Sequence, residues 1–131
     1  MRAPVCLTPH AGDIVERAIP ILPVDDLAVA RAFYVDRLGF DVTFEHTDDG
    51  HSGLLGVRRG TIAITLDCPM DGHGRDACVS LEVDSADRYY AEWSARTEIP
   101  QPVREESWGA RTFGVIDPFG NTIFVIGPPT P

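Results

Sequence analysis

Lysine is missing altogether: all 11 basic residues are arginine, and they face 20 acidic residues for a net charge of −9. With no run of cationic side chains and a field of this sign, nucleic acid and anionic membrane surfaces are repelled, whereas cationic small molecules are attracted. No stretch of about 18 consecutive apolar residues is present, so no segment is expected to span a bilayer. Cysteine is scarce and odd in number. Cys6, Cys68 and Cys78 form neither an even framework nor a CxxC pair, and a reducing cytoplasm is the expected compartment. Cys68, His73 and Cys78 are evenly spaced, yet a structural zinc site needs four ligands and closer cysteines. The N-terminal MRAPVCLTPHAGDIVERA lacks an apolar run of signal-peptide length and carries Asp13 and Glu16, so residues 1–17 are expected to form an arm.

What is present is an ordinary globular composition, 44% apolar and 24% charged over 131 residues, which is the size of one domain. AIPILPV, residues 18–24, is an apolar run whose prolines, Pro20 and Pro23, remove backbone donors and make it an edge strand. Asp25 and Asp26 offer an N-cap to LAVARAFYVDRLGF, where Leu27, Ala30, Phe33, Tyr34 and Leu38 recur at helical spacing and Gly39 closes the helix. DVTFEHT alternates as a half-exposed strand, DDGHSG turns, and LLGV and TIAITLD follow as a strand pair about RRG. After the linker CPMDGHGRD the order recurs. ACVSLEV is a strand, and DSADRYYAEWSA is a helix with Ala86, Tyr89, Tyr90 and Trp93 on one face. REESWGARTFGVID holds two short strands about Trp108-Gly109, and the DPFGN turn leads into TIFVIG.

The halves correspond. Val24-Asp25 and Val83-Asp84 open the two helices 59 residues apart, Tyr34 meets Trp93 at the same offset, and Gly60-Thr61 lies one place from the offset of Gly120. Two copies at this spacing indicate a duplicated supersecondary unit rather than a solenoid.

AIPILPVDDLAVARAFYVDRLGF, YYAEWSA and SWGARTFGVIDPFGNTIFV together resemble the glyoxalase, bleomycin-resistance and extradiol-dioxygenase (vicinal oxygen chelate) superfamily, and within it the bleomycin-resistance proteins most closely. The resemblance runs from about Ala18 to Gly127. It implies an α+β fold of two βαβββ modules, at about 18–67 and 77–128 of a single 18–128 domain, curling into a barrel-like, U-shaped cleft. It also implies a homodimer whose first strand is exchanged between subunits, with the prolines as a stiff hinge. In the superfamily's enzymes the cleft holds a divalent metal on His, Gln or Glu from the first and last strands of both modules. Counted from the helix starts, those positions fall here at about Ile19, at Ala77 or Cys78, at Ile64 or Thr65, and at Phe124. None supplies such a donor, and hydrocarbon there removes the Lewis-acid role. No metal and no cofactor are expected.

His46, Asp48, Asp49 and His51 crowd one hairpin, which reads either as a metal-binding tip or as a polar surface turn. Ser107 has no neighbouring His to activate it, and Cys78 lacks the basic surroundings that lower a thiol pKa. Trp108 is different, a large ring in the polar stretch REESWGAR. By the resemblance it lines a drug cleft together with Phe44. The expected function is stoichiometric capture of a cationic, planar antibiotic of the bleomycin type. Phe44, Trp108 and Phe124 supply surface, and Glu45, Asp48, Asp49, Glu105 and Glu106 supply negative charge. The alternative is a metal-dependent lyase, isomerase or dioxygenase drawing ligands from His46, His51, Asp67 or Glu82.

Overall fold

Asp26 begins the first helix. Its backbone is extended (φ −162°, ψ 120°), and its Oδ1 accepts from the Ala28 and Val29 amides at 2.8 and 3.3 Å, satisfying two of the donors a helix start leaves open. The structure, a computed structural model, describes residues 16–69 and 76–130; Cys6, His73, most of the expected arm and most of the CPMDGHGRD linker lie outside them. Helix α1, Leu27–Arg31, passes directly into a π-helical turn, Ala32–Arg37. The sequence periodicity predicts one regular helix over this span. The wider turn, closed by Leu38 N–H donating to the Phe33 carbonyl at 3.0 Å, lets the successive rings Phe33 and Tyr34 both enter the core, edge to face at 5.2 Å. Gly39, at φ 80°, then ends the helix as expected.

Strand β1, Ile21–Pro23, pairs in parallel with β4, Ile62–Cys68. The antiparallel strands β2, Asp41–His46, and β3, Gly53–Arg59, complete a sheet of order β1-β4-β3-β2. The second half repeats this order. Strand β5, Cys78–Glu82, is parallel to β8, Thr122–Gly127, with β7, Arg111–Ile116, and a two-residue β6, Arg104–Glu105, beyond it. Helix α2, Ala86–Ser94, is capped by Ser85, whose Oγ accepts from the Arg88 amide at 3.1 Å. The chain is thus two βαβββ modules in an α+β fold.

One continuous core joins the modules, with Trp93, Tyr34 and Phe40 its largest fully buried side chains. The corresponding residues of the repeat reach across in opposite directions. The Tyr34 hydroxyl donates to Asp117 Oδ2 at 2.7 Å, and the Trp93 indole N–H donates to the Leu38 carbonyl at 3.0 Å. Arg37 and Arg96, again 59 residues apart, bond each other's helix ends: Arg37 to the Arg96 carbonyl at 3.5 Å, Arg96 to the Asp36 carbonyl at 3.3 Å. Asn121 closes the seam, donating to the Pro23 carbonyl and to Asp117 while its Oδ1 accepts from the Ala77 amide. Burial, followed by the charge of Asp117 and the bond to it, pushes the Tyr34 phenol far above its ordinary range.

Arg59 forms the second tie. Its guanidinium meets both Glu92 carboxylate oxygens at 2.7 Å, donates to the Leu38 carbonyl at 2.8 Å and lies 4.6 Å from the Tyr89 ring centroid. The bond from Arg59 holds the Glu92 carboxyl below its ordinary value of 4.5, against a smaller opposing effect of burial.

Two outcomes follow for stability. Tyr34→Phe leaves an acceptor of Asp117 with one bond fewer in the core and is expected to cost about 1–3 kcal/mol in urea unfolding; a change of only a few tenths would contradict the cross-module role. Because the folded-state pKa of Glu92 is depressed, the contribution of the ion pair is present above its unfolded value of 4.5 and is lost as acid takes the pH through the folded value. Glu92→Gln is therefore expected to lower stability by about 1 kcal/mol or less at pH 7. Its unfolding curve should merge with that of the parent in stronger acid, and a gap that persisted there would exclude the charge as the cause.

Candidate functional site

Each sheet gives one face to the core and leaves the other open, and the alternation decides which residues each face receives. On β4, Ile64, Leu66 and Cys68 are buried, while Ala63, Thr65 and Asp67 lie on the opposite face. On β8, Ile123 and Val125 are buried, while Thr122, Phe124 and Ile126 face the other way. Of the alternatives at the expected metal positions, Thr65 and Cys78 lie on open faces, whereas Ile64 belongs to the core. The set is then Ile19, Thr65, Cys78 and Phe124, which offers a hydroxyl and a thiol beside two hydrocarbon groups. It does not match the carboxylate and imidazole donors that a hard divalent ion takes. Asp67 and Glu82 also sit on open faces but on different sheets. Among the described residues no group of three His, Cys, Asp or Glu side chains converges to hold an ion.

The open face of the first sheet carries the more enclosed hollow. A β-bulge between Val42 and Phe44 shifts the register of β2 so that Thr43 and Phe44 both lie over Gly56 of β3. The Phe44 ring fills the space a side chain at Gly56 would take, and any Cβ there would collide with it. The ring borders a hollow of about 200 Å³ whose walls include Arg17, Ile19, Arg58, Ala63 and Thr65. His46, two residues along the same strand, adds a second ring 5.4 Å from Phe44. Sequence reasoning had cast His46 only as an alternative metal ligand and passed over Arg17 and Arg58. The period-2 pattern of β3, with Leu55 and Val57 buried, was the signal that Gly56 and Arg58 share the open face.

Farther along β2, Glu45, His46, Asp48, Asp49, Cys68 and Pro69 border a wider hollow of about 690 Å³. Asp49 is committed to building the hairpin. It accepts from the His51 and Ser52 amides, both at 2.9 Å, and these bonds bring its carboxyl down to about 2. His51 pins the hairpin to the helix start: its carbonyl accepts from Leu27 N–H at 2.8 Å, and its Nδ1 lies 3.1 Å from Asp26 Oδ2. Glu45 pairs with Arg31 at 2.6 Å. Asp48 makes no ion pair or hydrogen bond among the described residues.

The remaining candidates belong to the second module. Trp108 stands at the tip of the β6–β7 hairpin before Gly109 (φ 90°) and is 62% exposed. Glu105 is paired with Arg111 at 3.3 Å, and Glu106 accepts from Thr112 and Arg104, which lower its pKa. Phe124 is half-buried on β8, beside Ser80 and Gly114 in register. The hollow bordered by Phe44 draws all its walls from the first module, so within one chain Phe44 is not brought together with Trp108 or Phe124 there.

Comparison with known proteins gives the arrangement a family. Curated protein sequences contain no significant match. Among solved structures, the bleomycin-binding protein from bleomycin-producing Streptomyces verticillus, complexed with copper(II)-bleomycin, is 28% identical with a TM-score of 0.68, covering 87% of this chain and 98% of that one. The bleomycin resistance determinant encoded on transposon Tn5 matches in fold at 21% identity and a TM-score of 0.72, covering 87% and 98%. The lactoylglutathione lyase of Agrobacterium tumefaciens does so at 23% and 0.63, covering 87% and 95%. The model of the family described as glyoxalase superfamily protein matches residues 8–127, and with the doubled βαβββ topology the chain belongs to the glyoxalase superfamily.

Proposed function

We propose that this protein is a non-enzymatic binder that sequesters a flat antibiotic of the bleomycin type, acting in the cytoplasm as a homodimer with two equivalent clefts. The observation that carries this reading is the chemistry of the open faces: Ile19, Thr65, Cys78 and Phe124 occupy the positions counted as metal-binding in the superfamily's enzymes, and Phe44, with His46 next to it, forms a ring surface beside Ile19 and Thr65. Such surfaces hold a planar guest by stacking and burial and offer nothing to polarise a bond. The likeness to a Streptomyces protein complexed with copper(II)-bleomycin supports the same class of ligand.

Size supports the dimer. A hollow of about 200 Å³ accepts a ring system but not a whole antibiotic, since drug-sized sites run to roughly 300–1,000 Å³. Exposed Ile19 and Ile21, at 40% and 49%, flank it on the sheet edge and offer apolar area to a second subunit. That subunit's Trp108 and Phe124 would supply the opposite wall. A cationic part of the ligand would meet Asp48 and the general negative field, because Asp49, Glu45, Glu105 and Glu106 already have partners.

Titration of tryptophan fluorescence with metal-free bleomycin and a panel of flat antibiotics is expected to show quenching that saturates at one ligand per subunit. Trp108→Ala should abolish the signal change, because Trp93 is fully buried among Phe40, Tyr89 and Phe113. Phe44→Ala should weaken binding about tenfold with little loss of stability. No saturable binding, combined with stoichiometric iron, manganese, nickel or zinc in the purified protein and turnover of a glutathione adduct or catechol, would replace the reading with an enzymatic one. Sedimentation at micromolar concentration should give a mass near twice 14.3 kDa, and a sharp monomer would remove the shared cleft.

A further inference from the structure

Every basic side chain in this protein is an arginine, and seven of the nine arginines among the described residues are committed. Arg31, Arg59, Arg88, Arg104 and Arg111 pair with carboxylates, and Arg37 and Arg96 bond backbone carbonyls at the seam. Among the described residues, Arg17 and Arg58 make neither kind of bond. Both line the Phe44 hollow. In a chain with nine surplus negative charges, carboxylates were available to neutralise them, and Asp41, the register partner of Arg58 on β2, forms no ion pair with it.

From this we infer that the part of the ligand entering the first-sheet hollow is a planar aromatic acid, with its ring against Phe44 and its anionic group between Arg17 and Arg58. The inference rests on the proposed function in taking this hollow as part of the ligand cleft, and it adds the charge of the group that enters. A guanidinium presents a planar fork of donors matched to a carboxylate, is weakly hydrated, and so loses less on desolvation than an ammonium. Thr65, on the same wall, adds a hydroxyl donor within the hollow. The apolar floor of Ala63 and Ile19 lowers the local dielectric and strengthens the attraction at contact. Positive groups of the same ligand would lie outside this hollow, toward Asp48.

Three matched probes separate this from the parent reading: 2-naphthoate, neutral 2-naphthamide and 2-naphthylmethylammonium, followed through the amide resonances of Gly56 and Thr65 in the full chain. The naphthoate is expected to bind about tenfold more tightly than the amide, with the ammonium weakest. Arg58→Gln and Arg17→Gln, both at exposed positions, should each bring naphthoate to within about threefold of the amide while leaving thermal stability unchanged. Raising the salt should narrow the gap in the same way. If all three probes shift Gly56 and Thr65 with equal affinity, the acidic specificity is wrong and the cleft stands. If none shifts them, the cleft reading fails and the inference with it.

Discussion

Tyr34 and Trp93 occupy equivalent places in the two modules, and each uses its one polar atom on the other module. Both are fully buried, so an unpaired phenol or indole N–H would be costly; docking the modules in this register satisfies both at once. The reciprocal contacts of Arg37 and Arg96, together with the Asn121 bridge, repeat the same logic at the rim and seam. The fold is therefore held by bonds that exist only when the two copies meet helix side inward, with the rings of Phe40, Trp93 and Phe113 packed between them.

That arrangement determines where a ligand can go. Once the helix-covered faces are used in docking, the remaining sheet faces are open, and every second residue of β4, β5 and β8 is displayed there. The residue types on display then decide the chemistry. A bulge in β2 and the missing side chain at Gly56 lay Phe44 flat on the sheet, which is a different use of a strand from carrying a metal-binding carboxylate. The shared backbone with a lyase fold thus leaves the function to side chains.

Much of this was legible in the residues. The 59-residue correspondence, the order of elements along the chain and the capped helix starts were all written in local pattern, because alternation, capping and glycine positions report backbone geometry directly. The pairing of Tyr34 with Trp93 in the repeat was visible, but not that each would bond across the seam, since partners 55 to 83 residues distant leave no local trace. The choice between Ile64 and Thr65 was undecidable by counting: a shift of one residue exchanges the faces of a strand. The π-helical turn was hidden for a similar reason, as Phe33 and Tyr34 fit either helical period. Charge was the least legible. Counting acidic residues singled out Glu45, Asp48, Asp49, Glu105 and Glu106, yet all but Asp48 are occupied by an arginine, a hydroxyl or a turn amide.

The distinction between summed charge and local pairing has a physical scale. Exposed charges are screened over roughly 8 Å at physiological salt, so the net charge of −9 acts on an approaching molecule as a diffuse field that sets encounter rates. A group bound within the hollow would lie inside that length with water partly excluded, so under the proposal above Arg17 and Arg58 would dominate what is retained. Under the proposal above, a guest with a positive periphery and an acidic ring would satisfy both regimes: the field would draw it in and Arg17 and Arg58 would hold it. Steering and selection thus call on different groups, because they operate on opposite sides of the screening length.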